Sequence, residues 1–308
     1  MRVRFRGVQR REGVLIWGAC GVGEFSPFEE YDDDESAGWL AAALEAADGN
    51  DAAPLRQAVP VNCTVPAVDQ VRAAAIVRAG HGCRTAKVKV AEPGQTLDHD
   101  IARVATVRDA IGPGGRVRVD ANGAWSVERA VEAINRLAEF DLEYVEQPVA
   151  SVEGLAEVRR RVDVPIAADE SIRRVSDPMR VTSFEAADIA VLKVQPLGGV
   201  RSCLDLADKM GLPVVVSSAL ESSVGIAAGV ALAAAIPDLP YACGLATASM
   251  LSHDLTRHPM TPVDGCIQVR PVVADDGLVA AARPADDVVG RWLSRLARCH
   301  QVLRSRQR

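Results

Sequence analysis

Three lysines lie inside short apolar runs that are typical of β-strands: Lys87, Lys89 and Lys193. The chain of 308 residues contains four lysines against thirty-one arginines, so it supplies nearly all of its positive charge as arginine. Arginine stays protonated in proteins, whereas a lysine that is removed from water can lose its proton near neutral pH and act as a base. The placement of these lysines therefore indicates proton transfer.

The lysines at positions 87 and 89 share one face of a predicted strand. Side chains alternate between the two faces of a strand, so Lys87 and Lys89 point to one side and the apolar residues around them point to the other. Two neighbouring ammonium groups lower each other's pKa, which favours a neutral amine. A strand with two ion-paired lysines and no catalytic role explains this segment equally well.

Three carboxylates, Asp120, Glu146 and Asp169, each stand at the carboxyl end of a predicted strand. Active sites of parallel barrels lie at that end of the strands. Neighbouring carboxylates repel one another unless a cation joins them, and ligation by oxygen alone suits Mg²⁺ or Mn²⁺. The histidines lie away from the strand ends and the cysteines lack the spacing of a zinc site. The sequence predicts a Mg²⁺ site, with Mn²⁺ as the alternative metal.

Lys193 lies two predicted strands beyond Glu146, so in a barrel it faces Lys87 and Lys89 across the mouth. A substrate between them meets amines on both sides. This arrangement suits removal of a proton next to a carboxylate, because a neutral lysine takes the proton while the metal and the ammonium groups stabilise the negative charge. A core lysine paired with a carboxylate is the alternative interpretation of Lys193.

Eight apolar runs that end in polar residues recur along the middle of the chain, at intervals of about one strand and one helix. They cover residues 59–62, 86–90, 117–122, 142–148, 165–170, 189–195, 214–218 and 241–244. Strands that alternate with helices form a parallel sheet, and eight such units favour closure into a (β/α) barrel. A doubly wound open sheet is the alternative, although no Gly-x-Gly-x-x-Gly motif follows an early strand.

The two ends of the chain lack this regular alternation of strand and helix. Residues 1–58 predict a separate α+β capping domain, with strands over 3–8 and 14–17 and a helix over 36–47. Residues 59–249 form the predicted barrel. Residues 250–308 contain a short strand near 266–269, a helix after Asp287 and an apolar stripe at helical spacing, so we expect this segment to return and pack on the capping domain.

Composition and charge limit the classes of binding partner and the cellular location that we expect for this protein. The net charge of −6 argues against a surface that binds nucleic acid, and 48% hydrophobic residues are ordinary for a soluble globular protein. The seven scattered cysteines fit a reducing cytoplasm. The longest uncharged run, 222–237, is too short to span a bilayer. We therefore expect a cytoplasmic protein that binds a small carboxylate rather than nucleic acid or membrane, and the oligomeric state is left open.

Five strings match one known family in order and spacing: Lys87-Val88-Lys89, Asp120-Ala121-Asn122-Gly123, Glu146-Gln147-Pro148, Asp169-Glu170-Ser171 and Lys193-Val194-Gln195-Pro196. Together they resemble the enolase superfamily in its muconate lactonising branch. Residues 61–67 and 217–225 are most similar to the o-succinylbenzoate synthases of the actinobacterial type. The resemblance covers almost the whole chain.

This resemblance implies an α/β fold, a modified (β/α)7β TIM-like barrel with a small α+β capping domain. It also implies Mg²⁺-dependent dehydration of 2-succinyl-6-hydroxy-2,4-cyclohexadiene-1-carboxylate to o-succinylbenzoate, a step of menaquinone biosynthesis. By the same resemblance, Asp120, Glu146 and Asp169 hold the metal.

The resemblance assigns a role to each strand lysine. Lys89 abstracts the ring proton and returns it to the departing hydroxyl in a syn elimination. Lys193 holds the enediolate from the other face, partly as a cation over the developing aromatic ring. Lys87 positions the carboxylate and tunes Lys89.

Other segments are expected to contact the substrate. The glycine-rich segment 18–27 resembles a cap loop that closes over the substrate, with Phe25 as its contact, and Asn122, Ser217 and Ser218 lie at strand ends. The family normally has an apolar cap strand before the position of Met1, so we expect an incomplete cap or a start that lies upstream.

Three other functions compete with this hypothesis. An N-succinylamino acid racemase would use the same facing lysines as two bases. A dipeptide epimerase is disfavoured, because residues 241–246 lack the Asp-x-Asp pair that holds an amino group. A barrel that acts only as a scaffold is weakened by the presence of every metal ligand and lysine.

Overall fold

A β-hairpin and a long helix form the amino-terminal part of the computed structural model, which describes residues 1–2, 5, 7–174 and 177–306. Strands β1 (Val14–Trp17) and β2 (Val22–Phe25) pair antiparallel, and helix α1 (Asp33–Asp48) packs on β2. Gly23 allows this close packing, because a Cβ there would lie 1.9 Å from the carbonyl oxygen of Ala43. The helix begins three residues before the predicted Ser36, since Asp32 caps it by accepting a hydrogen bond from the Glu35 amide.

The predicted strand over residues 3–8 is described only in part. Val3, Arg4 and Arg6 lie outside the described residues. Phe5 and Val8 exchange two backbone hydrogen bonds, of 3.1 and 2.9 Å, so the described residues form a tight antiparallel turn.

Seven parallel strands form the central sheet, and neighbours in the sheet are also neighbours in the chain. Parallel strands need crossover connections, which here contain helices. The strands are β4 (Cys63–Val65), β5 (Thr85–Lys89), β6 (Arg116–Asp120), β7 (Leu142–Glu146), β8 (Ile166–Ala168), β9 (Ile189–Leu192) and β10 (Val214–Val216). Before them, β3 (Ala58–Pro60) pairs antiparallel with β11 (Cys266–Gln268).

Both edges of this sheet reach the same short segment of chain. Val61, just before β4, forms a parallel bridge to Cys243, and Ser217, just after β10, forms one to Gly244. The Asn62 amide donates to the Cys243 carbonyl at 3.0 Å. The sheet is therefore curled into an α/β barrel-like fold. The predicted strand over 241–244 is present as these isolated bridges rather than as a regular strand.

The position of the first sheet strand corrects the prediction. Residues 59–62 were expected to form it, but β3 leaves the sheet to pair with β11, and β4 takes its place. Apolar residues alternate through both halves of this segment, at Val59, Val61, Cys63 and Val65, so the pattern alone does not show which half enters the sheet. The other six sheet strands end one to three residues earlier than predicted; Glu170, for example, begins a helix, and β9 stops before Lys193.

The remaining helices connect the strands or cover them. They are α2 (Gln70–Arg78), α3 (Leu97–Ile111), α4 (Val127–Leu137), α5 (Val152–Arg159), α6 (Glu170–Arg173), α7 (Arg180–Ser183), α8 (Val200–Met210), α9 (Ser223–Ala235), α10 (Asp276–Ala281) and α11 (Asp286–Arg306). Asp69, Ser126, Ser151 and Ser222 cap four of them through side-chain oxygens. Within the described ranges, none of the helices has both the length and the apolar character needed to cross a membrane.

Helix α11 packs against α1. Its apolar stripe joins a cluster with Phe25 and Trp39 of the amino-terminal part. The stripe consists of Trp292, Leu296, Cys299 and Leu303. Because Phe25 and Trp292 meet edge to face, with ring centroids 5.9 Å apart, residues from both ends of the chain share one hydrophobic core.

We expect Trp292→Ala to lower the free energy of unfolding by about 3–5 kcal/mol, because it opens a cavity in this cluster. It also removes the hydrogen bond of 3.0 Å from the Trp292 indole N–H to Glu12. Urea denaturation measures the change. The control is Leu293→Ala, whose side chain is exposed on the same helix and should change stability by less than about 0.5 kcal/mol. Equal stability of the two variants would contradict this packing role.

Candidate active site

The register of neighbouring strands brings the two lysines of β5 to the carboxylates of β6 and β7. Lys89 lies opposite Asp120, which in turn lies opposite Glu146. Lys87 Nζ lies 2.9 Å from Glu146 Oε1 and 3.3 Å from Asp120 Oδ2. Lys89 forms an ion pair with Asp120 and donates a hydrogen bond of 2.8 Å to Asn122 Oδ1. Both lysines are buried, so the predicted shared face is the inner face of the sheet.

Asp169 and Lys193 form the other half of the site. Lys193 Nζ lies 2.7 Å from Asp169 Oδ2, and Arg173 Nε lies 2.7 Å from Asp169 Oδ1. Arg173 also pairs with Glu170 at 2.7 Å. Each predicted lysine therefore contacts at least one of the three predicted carboxylates.

A cavity of about 300 Å³ opens at the carboxyl ends of the strands. Lys87 and Lys89 line it from β5, and Lys193 lines it from the end of β9, so the amines reach the cavity from different sides. Asn122, Ser217 and Ser218 line the same cavity. Of the predicted substrate contacts, these three are brought to the lysines.

Phe25 is the predicted contact that the structure places elsewhere. Its side chain is fully buried in the cluster with Trp292, away from the cavity. The hairpin pairing of β2 turns Phe25 towards α11, a distant helix that local sequence does not reveal. The nearby aromatic residues Phe28 and Tyr31 line the cavity instead.

Several residues that line the cavity were not predicted from the sequence, including Phe5, Arg173 and Arg174. Arg174 lies 4.7 Å over the ring of Tyr31, and Arg173 also bonds the Tyr31 hydroxyl. The two arginines lie at the end of α6, the short helix that follows the strand end carrying Asp169. That position was the available signal, because side chains just beyond a strand end reach the mouth of a barrel.

The buried charges shift one another's pKa in opposite directions. Burial lowers the pKa of Lys89. Burial also acts on Lys87, but the carboxylates of Glu146 and Asp120 outweigh it and hold the pKa of Lys87 above its ordinary value. Burial and the charge of Asp120 raise the pKa of Glu146 to about 7. Lys89 is therefore the lysine of β5 that is disposed to become neutral.

The other two carboxylates stay ionised. Burial would raise the pKa of Asp120, but Lys89 and Lys87 outweigh it and hold that pKa well below the usual range. Arg173 and Lys193 outweigh burial in the same way at Asp169, whose pKa is also lowered. Asp120 and Asp169 therefore keep their negative charge at neutral pH.

Comparison with known proteins decides the family. Residues 69–278 match the family described as Enolase C-terminal domain-like, and residues 1–47 match the one described as Enolase N-terminal domain-like. The chain belongs to the enolase superfamily. This confirms the resemblance that the five strings indicated.

Curated relatives place the chain more closely within the superfamily. An o-succinylbenzoate synthase of Thermobifida fusca is 60% identical over 299 residues, which cover 96% of this chain and 92% of that protein. Another of Mycolicibacterium smegmatis is 53% identical over 98% of this chain and 94% of its own length. The solved muconate lactonizing enzyme of Pseudomonas fluorescens has a TM-score of 0.75 at 22% identity, covers 86% of this chain and 88% of its own, and supports the shared fold.

Membership of the superfamily implies dependence on a divalent metal, and the residues fit one by type and burial. Asp120, Glu146 and Asp169 are fully buried and offer only oxygen donors. Asp120 and Asp169 both raise the pKa of Glu146, so the three charges act on one another. In the described part of the chain, no three carboxylates, histidines or cysteines are arranged as a metal site, and Arg173 and Lys193 each engage one oxygen of Asp169.

Proposed function

We propose that this chain dehydrates 2-succinyl-6-hydroxy-2,4-cyclohexadiene-1-carboxylate to o-succinylbenzoate, a step of menaquinone biosynthesis. The observation that carries the proposal is the pair Lys89 and Lys193, which line one cavity from the ends of different strands beside three buried carboxylates. The curated relatives, named o-succinylbenzoate synthase at 50–60% identity, support this substrate over others of the superfamily.

In this reaction Lys89 is both the base and the acid. Its neutral amine takes the ring proton next to the carboxylate, the electrons of the C–H bond form a C=C bond, and the hydroxyl leaves with the same proton as water. The ring becomes aromatic. One amine on one face accounts for a syn elimination. Burial of Lys89, which lowers its pKa, supports the role of base.

Lys193 and Lys87 act as cations. Lys193 approaches from another strand and stabilises the enediolate, partly over the developing aromatic ring. Lys87 stays protonated between Glu146 and Asp120, where it positions the substrate carboxylate. It also tunes Lys89, because the two lysines share Asp120 as an ion-pair partner. Asn122, Ser217 and Ser218 supply polar contacts to the substrate.

Asp120, Glu146 and Asp169 would hold the divalent metal, which we propose to be Mg²⁺, with Mn²⁺ as the alternative. When bound, the metal supplies positive charge that lowers the pKa of the carbon acid next to the carboxylate. Arg173, which pairs with Asp169, also has Glu170 as a partner.

We also propose the finer architecture and its boundaries. The fold is a modified (β/α)7β barrel over residues 59–249, with a capping domain over 1–58 and a segment over 250–308 that returns to the cap. The bridges at Cys243 and Gly244 support closure, and the packing of α11 on α1 supports the return. A cytoplasmic location is supported by the seven cysteines, all of which are free thiols.

A direct assay of the purified chain tests this function. We expect the ultraviolet absorbance of the aromatic product to appear when the hydroxycyclohexadiene substrate and Mg²⁺ are both present, and not when Mg²⁺ is replaced by a chelator. The same preparation is incubated with single enantiomers of N-succinylamino acids, and the loss of optical rotation measures racemisation. Robust racemisation without dehydration would replace the proposed function with that of a racemase.

A further inference from the structure

The loop after β10 lines the cavity in a backbone conformation that its sequence does not favour. Residues 217–220 all contribute to the lining. Leu220 has a φ of 64°, in the left-handed region that residues with a Cβ rarely adopt. Such strain persists only where surrounding contacts enforce it. The groups that hold Leu220 therefore shape the cavity.

Arg11 joins this loop to the amino-terminal part of the chain. Its Nε donates a hydrogen bond of 3.1 Å to the Leu220 carbonyl oxygen. Its Nη2 donates to the carbonyl oxygen of Ser26 and, at 3.2 Å, to the Ser26 hydroxyl. The guanidinium lies 4.3 Å over the ring of Phe28, which lines the cavity. One planar group thus fixes Leu220 relative to two cap residues.

Two buried carboxylates hold the residues on either side of Leu220. Glu221 Oε2 accepts a hydrogen bond of 2.7 Å from the Ala219 amide. Glu24 of β2 accepts from the amides of Ser222 and Gly225, each at 3.1 Å, at the start of α9. Glu24 is 8% exposed and Glu221 is 1% exposed, so water competes little for these bonds. The loop is anchored before and after its strained residue.

We propose that Arg11 and Glu221 are positioning residues that hold residues 218–220 in the strained conformation and so set the fit of the cavity to its substrate. This inference rests on the proposed function and extends it, because it assigns substrate fit to contacts between cap and barrel. Without Arg11, Leu220 relaxes and the substrate binds less tightly. Lys89 lies on another strand, so its proton transfer is not changed.

A set of kinetic variants tests the role of the strain. Arg11→Met should raise KM about tenfold and change kcat by less than about threefold, since ground-state and transition-state binding are lost together. In a Leu220→Gly background the same change should raise KM by less than about twofold, because glycine adopts positive φ without strain. Leu220→Ala is the matched control, since it removes the side chain but keeps the Cβ. Equal effects of Arg11→Met in the glycine and alanine backgrounds would overturn the inference.

A second measurement separates this inference from the proposed function. Hydrogen exchange of the free protein should show the Ala219 and Glu221 amides exchanging about tenfold faster in Arg11→Met, because local opening becomes easier. Arg11→Lys, which keeps the charge but loses the planar fork, replaces it if the methionine variant does not fold. Unchanged exchange overturns the role of Arg11 whatever the substrate is. An inactive wild-type chain with faster loop exchange in the variant refutes only the dehydration.

Discussion

Replacing Lys89 with alanine lowers kcat for dehydration by about a thousandfold or more, since the reaction loses both its base and its acid. The fold should survive the change. Asp120 keeps Lys87 as a partner at 3.3 Å, so the buried carboxylate is not left without a counter-charge. Product absorbance under single-turnover conditions measures the rate, and circular dichroism and thermal melting check the fold.

Two further lysine variants make the Lys89 experiment specific. Lys209→Ala changes the one lysine outside the site, an exposed residue of α8, and should leave kcat unchanged. Lys89→Arg keeps the positive charge but should be as inactive as the alanine variant, because arginine does not give up its proton. A Lys89→Ala protein that dehydrates at the wild-type rate would refute the assigned base.

Removing divalent metal with a chelator should also lower the rate by about a thousandfold or more, because metal stabilisation of the developing charge is worth several kcal/mol. Activity should return on adding Mg²⁺ in excess of the chelator, and Mn²⁺ should substitute. Full activity of the chelated protein would show that the three carboxylates serve another purpose.

Melting temperatures test the metal site without substrate. Mg²⁺ should raise the melting temperature of the wild-type chain, since a ligand that binds only the folded state stabilises it. Glu146→Gln should abolish that rise, because it removes one charged donor from the set. Glu132→Gln, on the exposed face of α4, is the matched control and should melt with the same Mg²⁺ dependence as the wild type. A Mg²⁺-dependent rise that persists in Glu146→Gln would exclude Glu146 as a ligand.

The sequence predicted the half of the site that depends on local periodicity. Lys87 and Lys89 share a face because strand side chains alternate, and the structure pairs both with Asp120. Asp120 and Glu146 are opposite each other because parallel strands end at the same edge of the sheet. These relations follow from spacing alone and need no knowledge of distant contacts.

The parts that were missed depend on contacts between residues far apart in the chain. Phe25 turns from the cavity because α11 supplies Trp292 as its partner. β3 lies outside the central sheet because it pairs with β11. Arg11 donates a hydrogen bond to Leu220, which lies 209 residues further along the chain. Apolar patterns identify which residues are buried but not against what, so such partners are not visible in one sequence.

The shared core of α1 and α11 has a consequence for the order of folding during synthesis. Trp39 leaves the ribosome early, whereas Trp292 and Cys299, which help to cover its cluster, are made near the end of translation. The apolar surface of the amino-terminal hairpin and helix therefore remains exposed to solvent while the intervening strands are synthesised and fold. Chaperone binding should concentrate on this exposed surface of the nascent chain and should end when α11 is released.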